Sequence, residues 1–179
     1  MVNEATKALA RQVVSECQNA GCRLVTAESC TGGLLAAVLT SVPGASDVFD
    51  RGMVVYASES KSQMLDVALS LLSTHGAVSE QVAVAMAANA LALAYPHANM
   101  SLAITGVSGP GTIRPFKPTG LVFIACAVMD PSRAIVRCLN FGDVGRDEVR
   151  ASSVRSALEV VLEQLRVGLP LVPANNTER

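Results

Sequence analysis

Arg23-Leu24-Val25-Thr26-Ala27-Glu28-Ser29-Cys30-Thr31-Gly32-Gly33-Leu34-Leu35-Ala36-Ala37-Val38-Leu39 runs from one apolar stretch through a polar, glycine-bearing turn into another. Residues 23–27 read as a short strand and residues 34–39 as a helix that Pro43-Gly44 stops. The spacing therefore predicts a strand, a tight turn and a helix N-terminus, the opening unit of a layered α/β domain.

The flanks fit that unit. Upstream, Leu9, Val13, Val14 and Cys17 recur at helical spacing, so residues 4–19 are predicted as an amphipathic helix that Gly21 ends. Downstream, residues 53–56 read as a second strand and residues 58–65 as a helix. Ser79 is placed to cap a helix reaching about residue 94, with Glu80 at its positive end and Pro96 closing it. Residues 101–104 and 121–128 are continuous apolar runs, as in strands covered on both faces. Asp130-Pro131-Ser132 reads as a turn into a strand over 134–139. Val154, Ala157, Leu158, Val161, Leu162 and Leu165 form the stripe of a long C-terminal helix. Residues 1–168 are read as one domain and 169–179, with Pro170 and Pro173, as a fraying tail. The pattern of alternating strands and helices followed by a hairpin predicts a three-layer α/β/α sandwich around a mixed β-sheet.

Composition narrows the function classes. Half of the 179 residues are apolar and only 3% are aromatic, so the core must be built from Ala, Val, Leu and Ile, with helices lying close against the sheet. The formal net charge is −1 and no basic run occurs, which argues against a nucleic-acid partner, since phosphate binding needs clustered Lys and Arg. Cys17, Cys22, Cys30, Cys126 and Cys138 are odd in number and lack a C-x-x-C, so they read as reduced core residues. The first residues lack a secretory h-region, and no apolar stretch approaches the ~20 residues needed to span a bilayer. The expectation is a cytoplasmic protein without membrane partners.

Ser29 at the mouth of a predicted helix sits beside free backbone N–H groups that suit an oxyanion or a phosphate. The plain alternative is an N-cap serine followed by a glycine-rich turn. His75 and His97 stand in predicted surface turns and read as solvated, which leaves lysine as the base for a serine nucleophile. Lys61 follows a strand able to border the same cleft; otherwise it is a solvated helix lysine. Ser58-Glu59-Ser60-Lys61 and Lys117-Pro118-Thr119-Gly120 echo the penicillin-binding motifs, but the chain is short for that fold and lacks S-D-N. Thr105-Gly106-Val107-Ser108-Gly109-Pro110-Gly111-Thr112 follows a buried strand, where ligands of α/β sheets collect, unless it is simply a wide turn. His, Cys, Asp and Glu show no metal-ligand spacing, so no metal is expected.

Taken together, these segments resemble the CinA C-terminal domain family, which includes nicotinamide-nucleotide amidases. The likeness rests on residues 27–33, Val42-Pro43-Gly44-Ala45-Ser46, Tyr56 with Lys61, His75-Gly76-Ala77-Val78-Ser79, residues 105–110 and Lys117-Pro118-Thr119-Gly120, in family order and spacing. It implies hydrolysis of the carboxamide of nicotinamide mononucleotide to nicotinic acid mononucleotide and ammonia, without cofactor or metal, by a homodimer. With no upstream domain in the sequence, it implies the stand-alone form. Mapped by position, Ser29 is the nucleophile, Lys61 the base and Tyr56 the tyrosine that orients it. Cys30, Thr31, Gly32, Gly33, Ser46, Thr105, Gly106 and Gly109 match substrate-site positions, and Arg146 an arginine near the substrate phosphate. Residues 142–146 are two residues longer than the family's Gly-Asp-Arg. Two further departures, Ala57-Ser58 after Tyr56 and Thr112-Ile113-Arg114 after Gly111, keep open a different small amide as substrate. A nucleotide-binding accessory protein without turnover, linked to competence or DNA damage, is the other alternative.

Overall fold

The structure, a computed structural model, describes residues 2–111 and 117–168. The tail at 169–179 and the Thr112-Ile113-Arg114 segment lie outside the described residues. In chain order the elements are α1 (Glu4–Asn19), β1 (Leu24–Glu28), α2 (Leu34–Thr40), β2 (Phe49–Val54), α3 (Ser58–Leu65), α4 (Leu69–His75), α5 (Glu80–Ala94), β3 (Met100–Gly106), β4 (Leu121–Val128), β5 (Ile135–Asn140) and α6 (Arg146–Val167). The five strands form one sheet in the order β2-β1-β3-β4-β5. β1 pairs in parallel with β2 and β3, whereas β3, β4 and β5 are antiparallel. The expected mixed sheet is present.

Each face of the sheet carries its own core. Leu24, Leu102, Ile104, Val122 and Ile124 pack against α1, α2 and α6. On the opposite face Ala27, Ala103, Ala125 and Ala127 meet Ala83, Met86, Ala87, Ala90 and Ala94 of α5. Alanine facing alanine keeps the side-chain bulk between helix and strands small, the close layer that the composition predicts. The predicted cap holds, Ser79 accepting from the Val82 N–H, and Asn3 likewise accepts from the Thr6 N–H at the start of α1, each removing one orphan donor.

Three local expectations are corrected. The second strand spans Phe49–Val54 rather than 53–56, because an edge strand tolerates Asp50 and Arg51 and needs no continuous apolar run. Helix α4 was not predicted, and it makes His75 a half-buried last helical residue rather than part of a surface turn. Its seven residues bury none completely, which leaves too weak a periodicity to read. Cys138 is exposed on β5, unlike the other four cysteines, which are buried; all five are free thiols. Among the described residues no helix is long and apolar enough to cross a membrane.

Candidate active site

The carboxyl ends of β1, β2 and β3 lie at one edge of the sheet, as parallel pairing requires, so the segments that follow them converge there. Ser29 and Cys30 come from the β1–α2 turn, residues 56–58 from the β2–α3 junction, and residues 105–111 from the end of β3. Residues 76–78 between α4 and α5, Lys61, Lys117 and Arg146 complete a cleft of about 570 Å³. Gly106 permits the layout, since a Cβ there would stand 2.7 Å from Val122 Cγ2 and 2.8 Å from the Leu121 carbonyl oxygen.

Ser29 and Lys61, 32 residues apart in sequence, meet in this cleft. Lys61 Nζ lies 2.9 Å from Ser29 Oγ, 2.8 Å from the Val55 carbonyl oxygen and 3.2 Å from that of Tyr56. The lysine is only 1% exposed and forms no ion pair among the described residues. Burial pushes its ammonium down to about 8, against weaker upward pulls from Cys30 and Glu59. The three partners suit either protonation state. An ammonium donates to all three oxygens; a neutral amine donates to the two carbonyls and keeps its lone pair for the Ser29 hydroxyl. Burial raises the thiol of Cys30, next to Ser29, to about 11, despite lowering contributions from Ser108 and Lys61, which disfavours its thiolate.

The helix mouth differs from expectation. Gly33, at φ +89°, is the N-cap of α2, and the N–H groups of Leu35 and Ala36 donate to the Glu28 carboxylate at 3.0 and 2.8 Å. Glu28 therefore occupies two of the backbone donors at the mouth of α2. The Ser29 N–H is also engaged, by the Ile104 carbonyl at 2.9 Å, and that of Gly32 by the Ser29 carbonyl at 3.0 Å. Cys30 and Thr31 donate their N–H groups to no oxygen of another residue among the described residues. Thr31, Gly32 and Gly33 build the turn rather than the cleft wall, and Arg150 of α6 donates to the Thr31 carbonyl at 3.0 Å.

Other expected residues are distributed unevenly. Tyr56 reaches Lys61 through its backbone carbonyl, while its hydroxyl sits 2.8 Å from Arg146 Nη2; the side chain does not orient the lysine. Arg146 Nη1 also donates to the Gly109 carbonyl at 2.9 Å, which ties the start of α6 to the β3–β4 loop. Thr105 is fully buried and donates to the Ala77 carbonyl at 2.7 Å. Ser46 is exposed in the 3-10 turn Ala45–Asp47, ahead of β2 and thus at the other end of the parallel strands; it does not line the cleft. The wall at 76–78 and Lys117, which clasps the His75 carbonyl at 2.8 Å and the Val78 carbonyl, are cleft residues that sequence alone does not mark. The quoted motifs contain both, but only tertiary contact reveals what they do. Among the described residues no group of three or more His, Cys, Asp or Glu converges.

Comparison with known proteins follows the same outline. The CinA C-terminal domain model matches residues 6–165, and the chain belongs to that family. A CinA-like protein of Anaeromyxobacter sp. (strain Fw109-5) is 43% identical over 163 residues, covering 91% of this chain and 38% of the relative. Another, from Parasynechococcus marenigrum, is 42% identical over 158 residues, covering 88% and 37%. The chain thus spans a little over a third of the length of these curated relatives. Among solved structures it is similar to the competence/damage inducible protein CihA from Agrobacterium tumefaciens, with TM-score 0.87 and 39% identity over 92% of this chain and 98% of that one. A CinA superfamily protein from Klebsiella pneumoniae gives TM-score 0.85 and 33% identity, covering 90% and 98%.

Proposed function

We propose that the chain is an amidohydrolase that deamidates nicotinamide mononucleotide to nicotinic acid mononucleotide and ammonia. The observation that carries this reading is a buried lysine without a carboxylate partner among the described residues, 2.9 Å from a serine hydroxyl at the wall of a cleft. Neutral Lys61 takes the Ser29 proton as Oγ attacks the carboxamide carbon. The N–H of Cys30, a cleft-lining residue, holds the oxyanion in this scheme. The protonated amine returns its proton to the departing nitrogen, so ammonia leaves and an ester to Ser29 remains. Lys61 then deprotonates a water that attacks the ester, giving the carboxylic acid and restoring the hydroxyl. Arg146 at the cleft wall is suited to a phosphate oxygen of the substrate. The scheme calls on no cofactor or metal. A homodimer working in the cytoplasm belongs to the same reading, and sedimentation of the purified protein tests the first part.

A coupled ammonia assay on the purified protein, offered the mononucleotide, its riboside and several small amides, tests the proposal. Release from the mononucleotide that disappears in Ser29→Ala is the expected result. Ammonia from a different amide alone moves the substrate but keeps the Ser29–Lys61 pair. Thermal stabilisation by the mononucleotide without any ammonia replaces turnover with binding and overturns the amidase reading.

A further inference from the structure

We infer that Glu28 is a positioning residue for the nucleophile, holding the Ser29 turn in shape by clasping the first turn of α2. Glu28 closes β1 and is 1% exposed, yet it pairs with no cation among the described residues. A buried carboxylate needs compensation, and here it comes from two successive backbone N–H groups, those of Leu35 and Ala36. Five residues, 29–33, separate the strand from the helix, and both ends of that segment are thus held by one side chain. The Ile104 carbonyl fixes the Ser29 N–H from β3, and Arg150 holds the Thr31 carbonyl from α6. Removing the clasp frees the strand–helix distance, and the hydroxyl loses its place 2.9 Å from Lys61 Nζ. The Glu28 carboxylate hydrogen-bonds to neither Ser29 nor Lys61, and Glu28 is not among the cleft-lining residues, so it acts on the hydroxyl by positioning it.

The inference rests on Ser29 being the reactive hydroxyl that the proposed function requires. Glu28→Gln tests it, because the amide keeps one acceptor oxygen and opposes the second N–H with its own NH₂. Two readouts are compared with wild type: kcat and KM for ammonia release, and the rate at which a small sulfonyl fluoride modifies Ser29, followed by intact mass. We expect both kcat and the modification rate to fall about 10- to 100-fold, KM to stay within about threefold, and the melting curve to remain cooperative. The pH midpoint near 8 should not move. Glu28→Ala, which restores neither acceptor, should fall further than Glu28→Gln. Wild-type modification rates in Glu28→Gln, a shifted pH midpoint, or a wild-type Ser29 inert to the reagent each overturn the inference. Modification of Ser29 without ammonia from any amide defeats the proposed function, while the effect of Glu28→Gln on that modification still decides this one.

Discussion

The parallel half of the sheet, β2-β1-β3, and the antiparallel half, β3-β4-β5, send opposite kinds of basic group into the same cleft. From the parallel side comes Lys61, 1% exposed, surrounded by a hydroxyl and two carbonyls and pushed down to about 8. From beyond β5 comes Arg146, exposed, bonded to the Gly109 carbonyl and the Tyr56 hydroxyl. The parallel strands end together, and the chain after β2 turns into α3, which carries Lys61 into the interior; the chain leaving the antiparallel edge sets Arg146 at the rim. Burial brings Lys61 toward the neutral amine that the proposed scheme uses as its base, whereas a guanidinium keeps its charge at any depth. Residue type and depth together set the two groups apart.

The sharpest way to break this comparison is Lys61→Met. If the buried half supplies the base, ammonia release should drop by roughly 10⁴-fold or more, as when one member of a catalytic unit is lost. Wild-type kcat/KM should rise with pH up to about 8 and then level, because only the neutral amine accepts a proton.

Stability should report the same burial. Between pH 8 and the ordinary lysine value of 10.5, Lys61 is protonated in the unfolded chain and neutral in the folded one. The unfolded state then binds more protons, so stability rises with pH through that window; below 8 the cost of the buried ammonium is fully present. Denaturant melts of wild type against Lys61→Met from pH 7 to 10 should diverge by about 1–3 kcal/mol. Parallel curves would mean that the lysine is not held in a desolvated site.

On the rim, Arg146→Ala should raise KM for the mononucleotide about 10- to 100-fold, the worth of one charge-assisted hydrogen bond, and leave the riboside unaffected. Equal losses on both substrates would assign Arg146 to the cleft wall instead. Tyr56→Phe should have the smallest effect, about 2- to 10-fold on KM, since it removes one hydroxyl contact to Arg146 and keeps the carbonyl on Lys61. A pH profile displaced by Tyr56→Phe would return the tyrosine side chain to the lysine.

The readable parts of the fold were those where local pattern and burial agree. α1 runs from Glu4 to Asn19 and β4 from Leu121 to Val128, as their apolar spacing predicts. β2 and α4 escaped because their polar or short surfaces carry little periodicity. Within the site, Ser29 and Lys61 were legible as chemistry, and the two do meet. Ser46 does not join them, because its turn precedes β2 and parallel pairing sends that end away from the cleft. Glu28 was hidden in plain view: nothing in its neighbours distinguishes an exposed acid from one that reaches across to the backbone N–H groups of Leu35 and Ala36.

Residue order alone determined the alternation of strands and helices, the glycine-bearing turn after the first strand, and the presence of a serine and a lysine with suitable chemistry. These are local properties, set by periodicity, caps and turn residues. Tertiary structure decided which carbonyls surround Lys61, that Glu28 closes the mouth of α2, and that the Tyr56 hydroxyl serves Arg146. Each of those depends on distance and dielectric between segments remote in the chain, and these exist only once the two apolar cores have packed around the sheet.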